Sequence, residues 1–556
     1  MKKYKAAYSS QSTKLNEETL LFKPLAPKPN AIKVTLGFPN TYTIGITSLG
    51  FQVIWASLAQ REDVDVRRVF TDVKEKLHRK SHLFGVSLSW ELDAPNILNL
   101  LEKQNIPLWS NERDEEDPIV FGGGPVLTAN PEPLAPFFDV ILLGDGEELL
   151  PIFLEAIKTY TGLPRYQVLC ELSKIPGIYI PILYEPKYSS DGELINIEPV
   201  EQDIPQSIRK QTWRGKNLCH STVITPNSAW PNIHMVEVVR SCPELCRFCL
   251  ASYLTLPFRT PSIEEELIPA IEKGLQATKR IGLLGASITQ HPEFSDLLEW
   301  FNQDKYRDIR LSLSSVRAST VNSKLTNLLV KYGSKSITIA IESGSERIRK
   351  VINKKLLEEE IFAAAKYTHE AGLSGLKLYG MVGLPTEENC DVELTADLLL
   401  RLKQATKGLR LTLGISAFVP KSHTPFQWMG FSKDAKKRLQ LLNKKLRSNN
   451  IETRPESLGF SIIQTLISRS DRRLAPVIEA IYKNPNQNIG TWKKAYIAAY
   501  KGEITQSKNL SSTNIMPHWE EIIYNTWEDS KILPWNHIHG PLTKNQLLNH
   551  KNISFN

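Results

Sequence analysis

The chain has 556 residues, of which 41% are hydrophobic and 23% are charged, enough for several buried cores and roughly two to four domains. It contains no run of about 18 apolar residues and no apolar N-terminal signal region, so neither a membrane span nor a secretory signal is predicted, and we expect a cytoplasmic location. The 68 basic and 60 acidic residues give a net charge of +8, a mild excess that permits an anionic or nucleic-acid substrate without indicating one.

Residues 1–190 are predicted to form a doubly wound α/β domain. Short apolar runs alternate there with amphipathic stretches, and this alternation is typical of a parallel sheet covered by helices. The predicted strands lie within residues 31–39, 64–70, 82–90, 118–124 and 139–147. Ligands of such sheets bind beyond the carboxyl ends of the strands, where Gly122, Gly123 and Gly144 allow close approach of the backbone. The alternative is that these glycines only form turns.

The rest of the chain is predicted to contain a linker, a second α/β unit and a helical region. Residues 191–232 lack clear periodicity and are interpreted as a linker or lid. Residues 233–430 contain six strand patterns separated by helix patterns, which indicates a partial (β/α)6 barrel. Residues 431–556 are mainly helical, and a basic stretch at 433–450 has the leucine spacing of a helix with one buried face.

Three of the six cysteines lie in the segment CPELCRFC, directly after the first strand of the second unit. These are Cys242, Cys246 and Cys249, whereas the other three are scattered singly, which favours a reducing compartment and metal binding over disulfides. Thiolates are soft ligands that suit zinc or an iron-sulfur cluster. A structural zinc site needs a fourth cysteine or histidine at short spacing, and none has that spacing here. A zinc site and a redox-inert cluster remain as alternatives.

This Cx3CxxC loop after the first strand of a six-unit barrel resembles that of the radical S-adenosylmethionine superfamily. The resemblance implies that the three cysteines hold a 4Fe-4S cluster, and that S-adenosylmethionine chelates its fourth iron through the amino and carboxylate groups. It further implies reductive cleavage of the cofactor to methionine and a 5′-deoxyadenosyl radical. A reducing electron donor such as flavodoxin or ferredoxin is then expected as a partner.

The same resemblance implies cofactor-binding residues at the carboxyl ends of the barrel strands. Phe248 is expected near the adenine, and a serine and an arginine after the third strand near the ribose. The second-strand motif, often Gly-Gly-Glu in this superfamily, reads Gly-Ala-Ser here, so the contact with the methionyl amine falls to backbone oxygens or Ser287. The implied contacts are Phe248, Gly285, Ser287, Ser314, Arg317, Glu342, Ser343 and Gly383.

A doubly wound domain ahead of such a barrel resembles the cobalamin-binding class of the superfamily. Stretches such as VFGGGPVLTANPEPLAPFFDVILLGDGEELLPIF and FVPKSHTPFQW resemble one poorly characterised bacterial family of this class. The loop that supplies a histidine to cobalt in base-off cobalamin proteins reads NTYTIG here, with Tyr42 at the histidine position and Gly45 at the glycine position. Tyrosine is a poor neutral-pH ligand, so the implied cobalamin would lack an axial ligand from this chain. The alternative is a domain that covers the barrel or binds substrate.

The leading hypothesis is a radical enzyme that functionalises a C–H bond of an unknown substrate, with cobalamin-dependent methyl transfer as one form of that reaction. Methylthiolation is a weaker hypothesis, because it needs a second cysteine set and residues 1–169 contain no cysteine. The sequence is also compatible with a tetrapyrrole cyclase reaction, and with a non-catalytic iron-sulfur protein that senses redox state. Trp535, His537 and His539 lie on a polar loop and are predicted to be packing or solvent-facing residues.

Overall fold

The structure is a computed structural model that describes residues 14–504 and 515–555. Two α/β units with mainly parallel strands, each flanked by helices, account for most of the strands in these ranges. A set of helices follows the second sheet. The predicted fold class, an α/β domain followed by a partial barrel and a mainly helical region, is confirmed.

The N-terminal sheet contains six strands, five of them parallel, and a short strand β1 (Thr19–Leu20) precedes it. Its strands are β2 (Ile32–Gly37), β3 (Val64–Val69), β4 (Leu83–Ser87), β5 (Ile119–Gly123), β6 (Val140–Leu142) and β7 (Ile178–Tyr179). The helices are α1 (Tyr42–Gly45), α2 (Leu49–Ala59), α3 (Ala94–Lys103), α4 (Pro125–Ala129), α5 (Gly146–Thr159) and α6 (Arg165–Ser173). The strand order is β3-β2-β4-β5-β6-β7, so the chain adds strands on one side of β2 and then, from β4 onward, on the other side. Strand β7 is antiparallel to β6. Such a reversal of the strand order opens a crevice at the carboxyl edge of the sheet.

The segment predicted as a linker contains short strands. β8 (Tyr184–Tyr188) and β9 (Leu194–Pro199) form an antiparallel hairpin, followed by β10 (Ile208–Arg209) and β11 (Val223–Ile224). β11 pairs with β1, and β10 pairs with a strand near the C-terminus, residues Ile538–His539. Two-residue strands carry no readable periodicity, so sequence patterns could not indicate this pairing.

The barrel sheet contains seven parallel strands. They are β12 (His234–Glu237), β13 (Arg280–Leu284), β14 (Arg310–Leu313), β15 (Ser336–Glu342), β16 (Gly375–Val382), β17 (Arg410–Ala417) and β18 (Glu452–Pro455). The helices are α7 (Leu250–Leu254), α8 (Ile268–Leu275), α9 (Phe294–Phe301), α10 (Ser323–Lys331), α11 (Glu346–Val351), α12 (Glu358–Glu370), α13 (Asn389–Ala405) and α14 (Ala435–Arg447). A single bridge between Val316 and Ile339 joins the first three strands to the last four. The six predicted strands are present, and β18 extends the sheet by one.

The C-terminal helices pack against the N-terminal domain. They are α15 (Leu458–Arg469), α16 (Ala475–Tyr482), α17 (Ile489–Tyr500), α18 (Trp519–Ile523) and α19 (Lys544–Asn552), with β19 (Ile538–His539) before the last. Their apolar residues share one core with the N-terminal sheet, and Trp109 donates a hydrogen bond to Glu479 at 3.0 Å. The barrel helices form a separate core on the outside of the second sheet. Within residues 14–504 and 515–555, no helix combines the length and apolar character needed to cross a bilayer.

We expect replacement of Asp139 by asparagine to destabilise the N-terminal domain strongly. Asp139 accepts hydrogen bonds from Arg113 at 3.0 Å and Arg165 at 2.8 Å, and the Arg113 side chain is fully buried. The asparagine leaves the Arg113 charge without its partner, at a cost of about 3–5 kcal/mol in the free energy of unfolding. Denaturant titration measures this cost as the change in the free energy of the transition in which the N-terminal domain unfolds. The control Glu62→Gln breaks an exposed pair with Lys28 and should cost less than about 1 kcal/mol; equal effects would contradict the prediction.

Candidate functional site

The cysteine loop follows β12 at the carboxyl edge of the barrel. Cys246 is buried, and Cys242 and Cys249 are half-buried. Ser241 and Leu245 have φ angles of 72° and 52°, which turn the backbone sharply on either side of Cys242. Residues other than glycine hold this conformation only where surrounding contacts enforce it. The loop conformation is therefore set by its contacts with the rest of the barrel.

Hydrogen bonds to backbone oxygens hold this loop against the segment after β15. Asn353 donates through Nδ2 to the carbonyl oxygens of Glu244 at 3.1 Å and Leu245 at 2.9 Å. Arg247 donates through Nη1 to the last two carbonyl oxygens of α11, at 2.9 and 2.8 Å. These bonds satisfy backbone groups of both segments, so each segment positions the other. Sequence analysis missed Asn353, whose only signal is its place at the end of the segment RKVIN.

A polar chain connects the cysteine loop to the ends of β13 and β14. Ser287 donates to Gln290, and Gln290 donates through Nε2 to Glu244 at 2.6 Å. The other carboxylate oxygen of Glu244 lies 2.9 Å from the Arg317 guanidinium. Two of the predicted cofactor residues are thus connected to one acidic side chain of the cysteine loop, Arg317 directly and Ser287 through Gln290. Glu244 and Gln290 were not predicted.

Three further predicted residues have different surroundings. The Ser314 hydroxyl donates to the carbonyl oxygen of Gly285 at 3.2 Å, so the ends of β13 and β14 meet. A Cβ atom added at Gly285 would lie 2.8 Å from the Val239 carbonyl oxygen, which shows how closely the backbone passes the end of β12. Ser343, in contrast, is buried against Thr395 of α13, and this places its hydroxyl in the packing behind the strand end.

Glu342 occupies a strained position at the end of β15. Its φ angle is 62°, at an irregularity in the pairing of β15 with β16, and its carboxylate accepts a hydrogen bond from Lys354 at 2.8 Å. Such strain is concentrated at functional sites, where surrounding contacts maintain it.

Burial raises the pKa of the Cys246 thiol to about 12, and the nearby Lys354 ammonium opposes this shift. Lys354 was missed because a lysine after a helix is usually a solvated charge.

The loop after β16 is organised by a buried carboxylate. Gly383 has a φ angle of 77°, and its N–H donates to Glu387 at 2.6 Å. Burial raises the pKa of Glu387 to about 7, although the Arg438 guanidinium 3.6 Å away opposes the shift. Leu384 belongs to a small apolar cluster against which Phe248 also packs. The two segments expected to border the adenine are therefore adjacent.

The three thiols suit an iron-sulfur cluster better than a single metal ion. Among the described residues, no three His, Cys, Asp or Glu side chains lie close enough to share one ion. In a 4Fe-4S cluster each cysteine binds a different iron, so the sulfurs need not converge on one point. Cys219, the next cysteine along the chain toward the N-terminus, contacts Glu147 and Arg240 at 3.1 Å each. The loop thus offers three soft ligands.

A cavity of about 380 Å³ lies at the carboxyl edge of the N-terminal sheet. It occupies the crevice between β2 and β4 where the strand order reverses. Gly123 and Gly144, two of the predicted glycines, line it. Ser87 and Ser89 at the end of β4 also line it and were not predicted, because the run that contains them was interpreted only as a strand. The remaining wall combines aliphatic side chains with charged ones, and its far side is formed by residues of the barrel.

Three other residues predicted for cobalamin are not among those that line this cavity. Tyr42 is buried, its hydroxyl donates to Glu18 at 2.7 Å, and burial raises its pKa well above the usual range. A Cβ atom at Gly45 would lie 2.6 Å from the Phe70 ring, and one at Gly122 would be equally crowded. These glycines serve internal packing, and Tyr42 is directed toward Glu18.

The cavity and the cysteine loop share a wall of ion pairs. Arg240, two residues before the first cysteine, donates through Nη2 to Glu147 and Glu237 at 2.7 Å each. Arg259 donates to Asp145 at 2.7 Å. Asp145 and Glu147 belong to the N-terminal domain, whereas the arginines belong to the barrel. These contacts hold the two carboxyl edges face to face.

The histidine-containing loop near the C-terminus is a packing element. His537 is buried beside Tyr179, with its Nε2 3.5 Å from Glu132, and burial lowers its pKa to about 4. Trp535 donates through Nε1 to Gln427 at 2.7 Å, and His539 is exposed. None of the three lines the cavity between the domains.

Comparison with protein families gives two matches. The radical SAM superfamily matches residues 236–399, and the description "Radical SAM proteins, N-terminal" matches residues 68–181. The chain belongs to the radical S-adenosylmethionine superfamily. The superfamily match begins in β12 and ends in α13, so it includes the cysteine loop.

Several known proteins resemble the chain at low identity. An uncharacterized protein of Methanocaldococcus jannaschii is 26% identical over 465 residues, which cover 83% of this chain and 94% of that protein. A tRNA-2-methylthio-N(6)-dimethylallyladenosine synthase of Alkaliphilus oremlandii is 24% identical over 175 residues, 30% of this chain and 37% of that protein. The radical S-adenosylmethionine methyltransferase TsrM from Kitasatospora setae, solved with cobalamin and a 4Fe-4S cluster bound, has a TM-score of 0.52. That match has 12% identity and covers 85% of this chain and 99% of TsrM, so it shows a shared fold.

As a radical S-adenosylmethionine enzyme, the protein uses a 4Fe-4S cluster and S-adenosylmethionine, and it requires a reductant. Its fold combines the same two α/β units as TsrM.

We expect Glu387→Gln to stabilise the protein above neutral pH. The folded-state pKa of about 7 exceeds the ordinary value of 4.5, so the folded protein binds more protons than the unfolded chain between these pH values, and stability falls as pH rises. Glutamine keeps the acceptor for Gly383 and removes this penalty, which is at most about 3 kcal/mol. Thermal unfolding at pH 5 and pH 8 measures the difference. The variant should gain over wild type only at pH 8; the exposed control Glu359→Gln should show no such gain.

Proposed function

We propose that Cys242, Cys246 and Cys249 hold the 4Fe-4S cluster and that the protein uses it to functionalise a C–H bond of its substrate. The observation that carries this proposal is a loop of three thiols, fixed by Asn353 and Arg247, at the carboxyl edge of an open parallel barrel. When bound, the reduced cluster supplies the electron that splits S-adenosylmethionine into methionine and a 5′-deoxyadenosyl radical. A low-potential donor such as flavodoxin or ferredoxin provides that electron.

The residues of the chain position the cofactor. Backbone oxygens near Gly285 and the polar Ser287 accept from the methionyl amine, and Ser314 with Arg317 borders the ribose. The Glu244–Arg317 pair, at 2.9 Å, couples the ribose side to the cysteine loop. Glu342 and Gly383 complete the boundary from the fourth and fifth strands; Phe248 and Leu384 present an apolar surface to the adenine.

Methylthiolation is not favoured by the arrangement of the cysteines. The relative from Alkaliphilus oremlandii carries this activity in its name, but its similarity covers only 30% of this chain. Cys170 lies in α6, Cys219 in the segment before the barrel, and Cys390 in α13. These three positions do not supply a second ligand set.

We expect alanine at any one of the three loop cysteines to abolish activity. Each loss leaves the cluster with two protein ligands, so iron content after anaerobic reconstitution should fall to background, and 5′-deoxyadenosine formation with dithionite should fall at least about 100-fold. Iron analysis and chromatography of the reaction products provide the measurements. The matched control is Cys390→Ala, which removes an exposed thiol on α13 and should retain wild-type iron and activity. Cofactor cleavage by a loop variant would disprove the assignment.

A second candidate function is cobalamin-dependent methyl transfer. The observation that favours it is the cavity at the strand-order reversal, lined by Gly123 and Gly144 and facing the barrel. Because Tyr42 is turned toward Glu18, the residues fit a cobalamin that receives no axial ligand from this chain. Gly123 and Gly144, with the serines at the end of β4, would hold part of the cofactor at the 380 Å³ cavity. When bound, cobalamin would supply the methyl carrier.

Anaerobic incubation with hydroxocobalamin, followed by desalting, tests the cobalamin candidate. We expect about one equivalent to be retained, and Gly123→Val to reduce retention at least about tenfold. A Cβ atom at Gly123 meets only Leu142 at 3.7 Å or beyond, so valine is tolerated by the fold while its side chain fills the cavity. Tyr42→His should leave the Co(III) absorption spectrum unchanged, because position 42 faces away from the cavity. Absence of retention by wild type would reject cobalamin without affecting the cysteine assignment.

A further inference from the structure

The inner face of the barrel sheet is open and polar between β15 and β18. In closed eight-stranded barrels, bulky branched side chains fill the interior. Here the parallel register places small or polar residues on the inner face, and alternate residues such as Ile339 and Leu378 are buried under the outer helices. The inner positions include Ser336, Thr338, Ala340, Gly375, Thr412, Gly414 and Ser416. Small residues thus leave the longer side chains of this face exposed.

Three side chains of β16 form a row along this inner face. Lys377 is exposed, Tyr379 is 52% exposed in mid-strand, and Met381 is half-buried. Met381 packs against the same apolar cluster as Phe248 of the cysteine loop. At about 3.3 Å per residue, the row spans about 13 Å from Lys377 to Met381. The row begins at the exposed Lys377 and ends at Met381, beside the proposed cofactor site.

Tyr379 has the surroundings of a stacking platform. Gly414 is its partner on β17, and a Cβ atom added there would lie 2.9 Å from the Tyr379 ring, so the ring leans over this glycine. Ala340 is the partner on β15 and leaves the other side open. Exposed aromatic rings on a sheet are a common means of binding nucleobases, because every base has a flat π-face.

The charge around this ring is positive. Glu452 is paired with Arg454 at 2.7 Å, and Glu342 is paired with Lys354. Those glutamates are the acidic residues on the inner positions of β15 to β18. Within the part of the chain that the structure describes, Lys377 and Arg410 have no carboxylate in ion-pair distance. A phosphate in the barrel would meet two cations that form no direct ion pair, although the Arg410 charge also acts on Glu452.

We propose that the inner face of β16 and β17 binds a nucleotide unit of the substrate, with its phosphate at Lys377 and Arg410 and its base stacked on Tyr379. The inference rests on the proposed function for the reaction itself, because the radical would form beyond Met381. The nucleotide belongs either to a free metabolite or to single-stranded RNA, since both present the same base and phosphate.

Binding measurements on the anaerobically reconstituted protein with S-adenosylmethionine present test this proposal. The probes are AMP, followed by calorimetry, and a short fluorescein-labelled single-stranded RNA, followed by anisotropy. We expect at least one probe to bind, and both Lys377→Glu and Tyr379→Leu to weaken it by about tenfold or more. Because the two variants change different chemical groups, a folding defect in one of them does not decide the test. Iron content and circular dichroism verify that each variant is folded and holds iron. Binding of AMP alone identifies a free nucleotide, and tighter binding of RNA identifies a polynucleotide.

The matched control is Lys436→Glu on α14, which changes the same charge on the outer, basic face of the barrel. It should bind both probes like wild type. No binding of either probe, or an equal loss in the control, overturns the inference. Formation of 5′-deoxyadenosine in the same preparations separates the two proposals: cleavage without nucleotide binding rejects only the inner-face site, whereas binding without cleavage rejects only the radical function.

Discussion

Arg240 and Arg259 join the carboxyl edges of the two parallel sheets through Asp145 and Glu147, and Glu237 of β12 also holds Arg240. Parallel strands present their ligand-binding loops at one edge, so two such sheets joined edge to edge bring both sets of loops into one region. These five charges are largely buried, and their desolvation is compensated only while each keeps its partners. The distance between the glycine-lined cavity and the cysteine loop is therefore set by charge pairing and not by a flexible linker.

The α/β alternation and the cysteine spacing could be predicted from sequence because both are local patterns. Strand ends agreed closely with the apolar runs, and the family match includes the cysteine loop. The direction of a side chain after a strand depends on contacts with distant residues and cannot be predicted from a local pattern. Tyr42 stands at the histidine position of the cobalamin loop motif, yet its hydroxyl bonds to Glu18 and its ring packs against Phe70. Asn353 likewise acts across more than 100 residues of chain, on the carbonyl oxygens of Glu244 and Leu245.

Other features were visible in the sequence but were interpreted too narrowly. The segment LKLYGMV alternates strictly, and this alternation separates Lys377, Tyr379 and Met381 from the residues buried beneath the helices. A strand of a filled barrel core would carry branched residues at these positions. The residue types on the two faces of β16 therefore indicate that the inner face of the barrel is accessible and not filled by side chains. Assignment of the segment as a strand does not by itself indicate this.

The segment between the two sheets is tied at both ends to distant parts of the chain. β11 pairs with β1, and β10 pairs with β19, while Gln211 lies on Gly144 at the end of β6. A hinge that opened the two domains would have to break both pairings and the ion pairs beside them. We infer that the domains keep their distance during turnover, so that ligands enter and leave through local loop motion. The two domains then stay together throughout turnover, and a reactive intermediate meets solvent along the open inner face of the barrel, where Tyr379 is exposed.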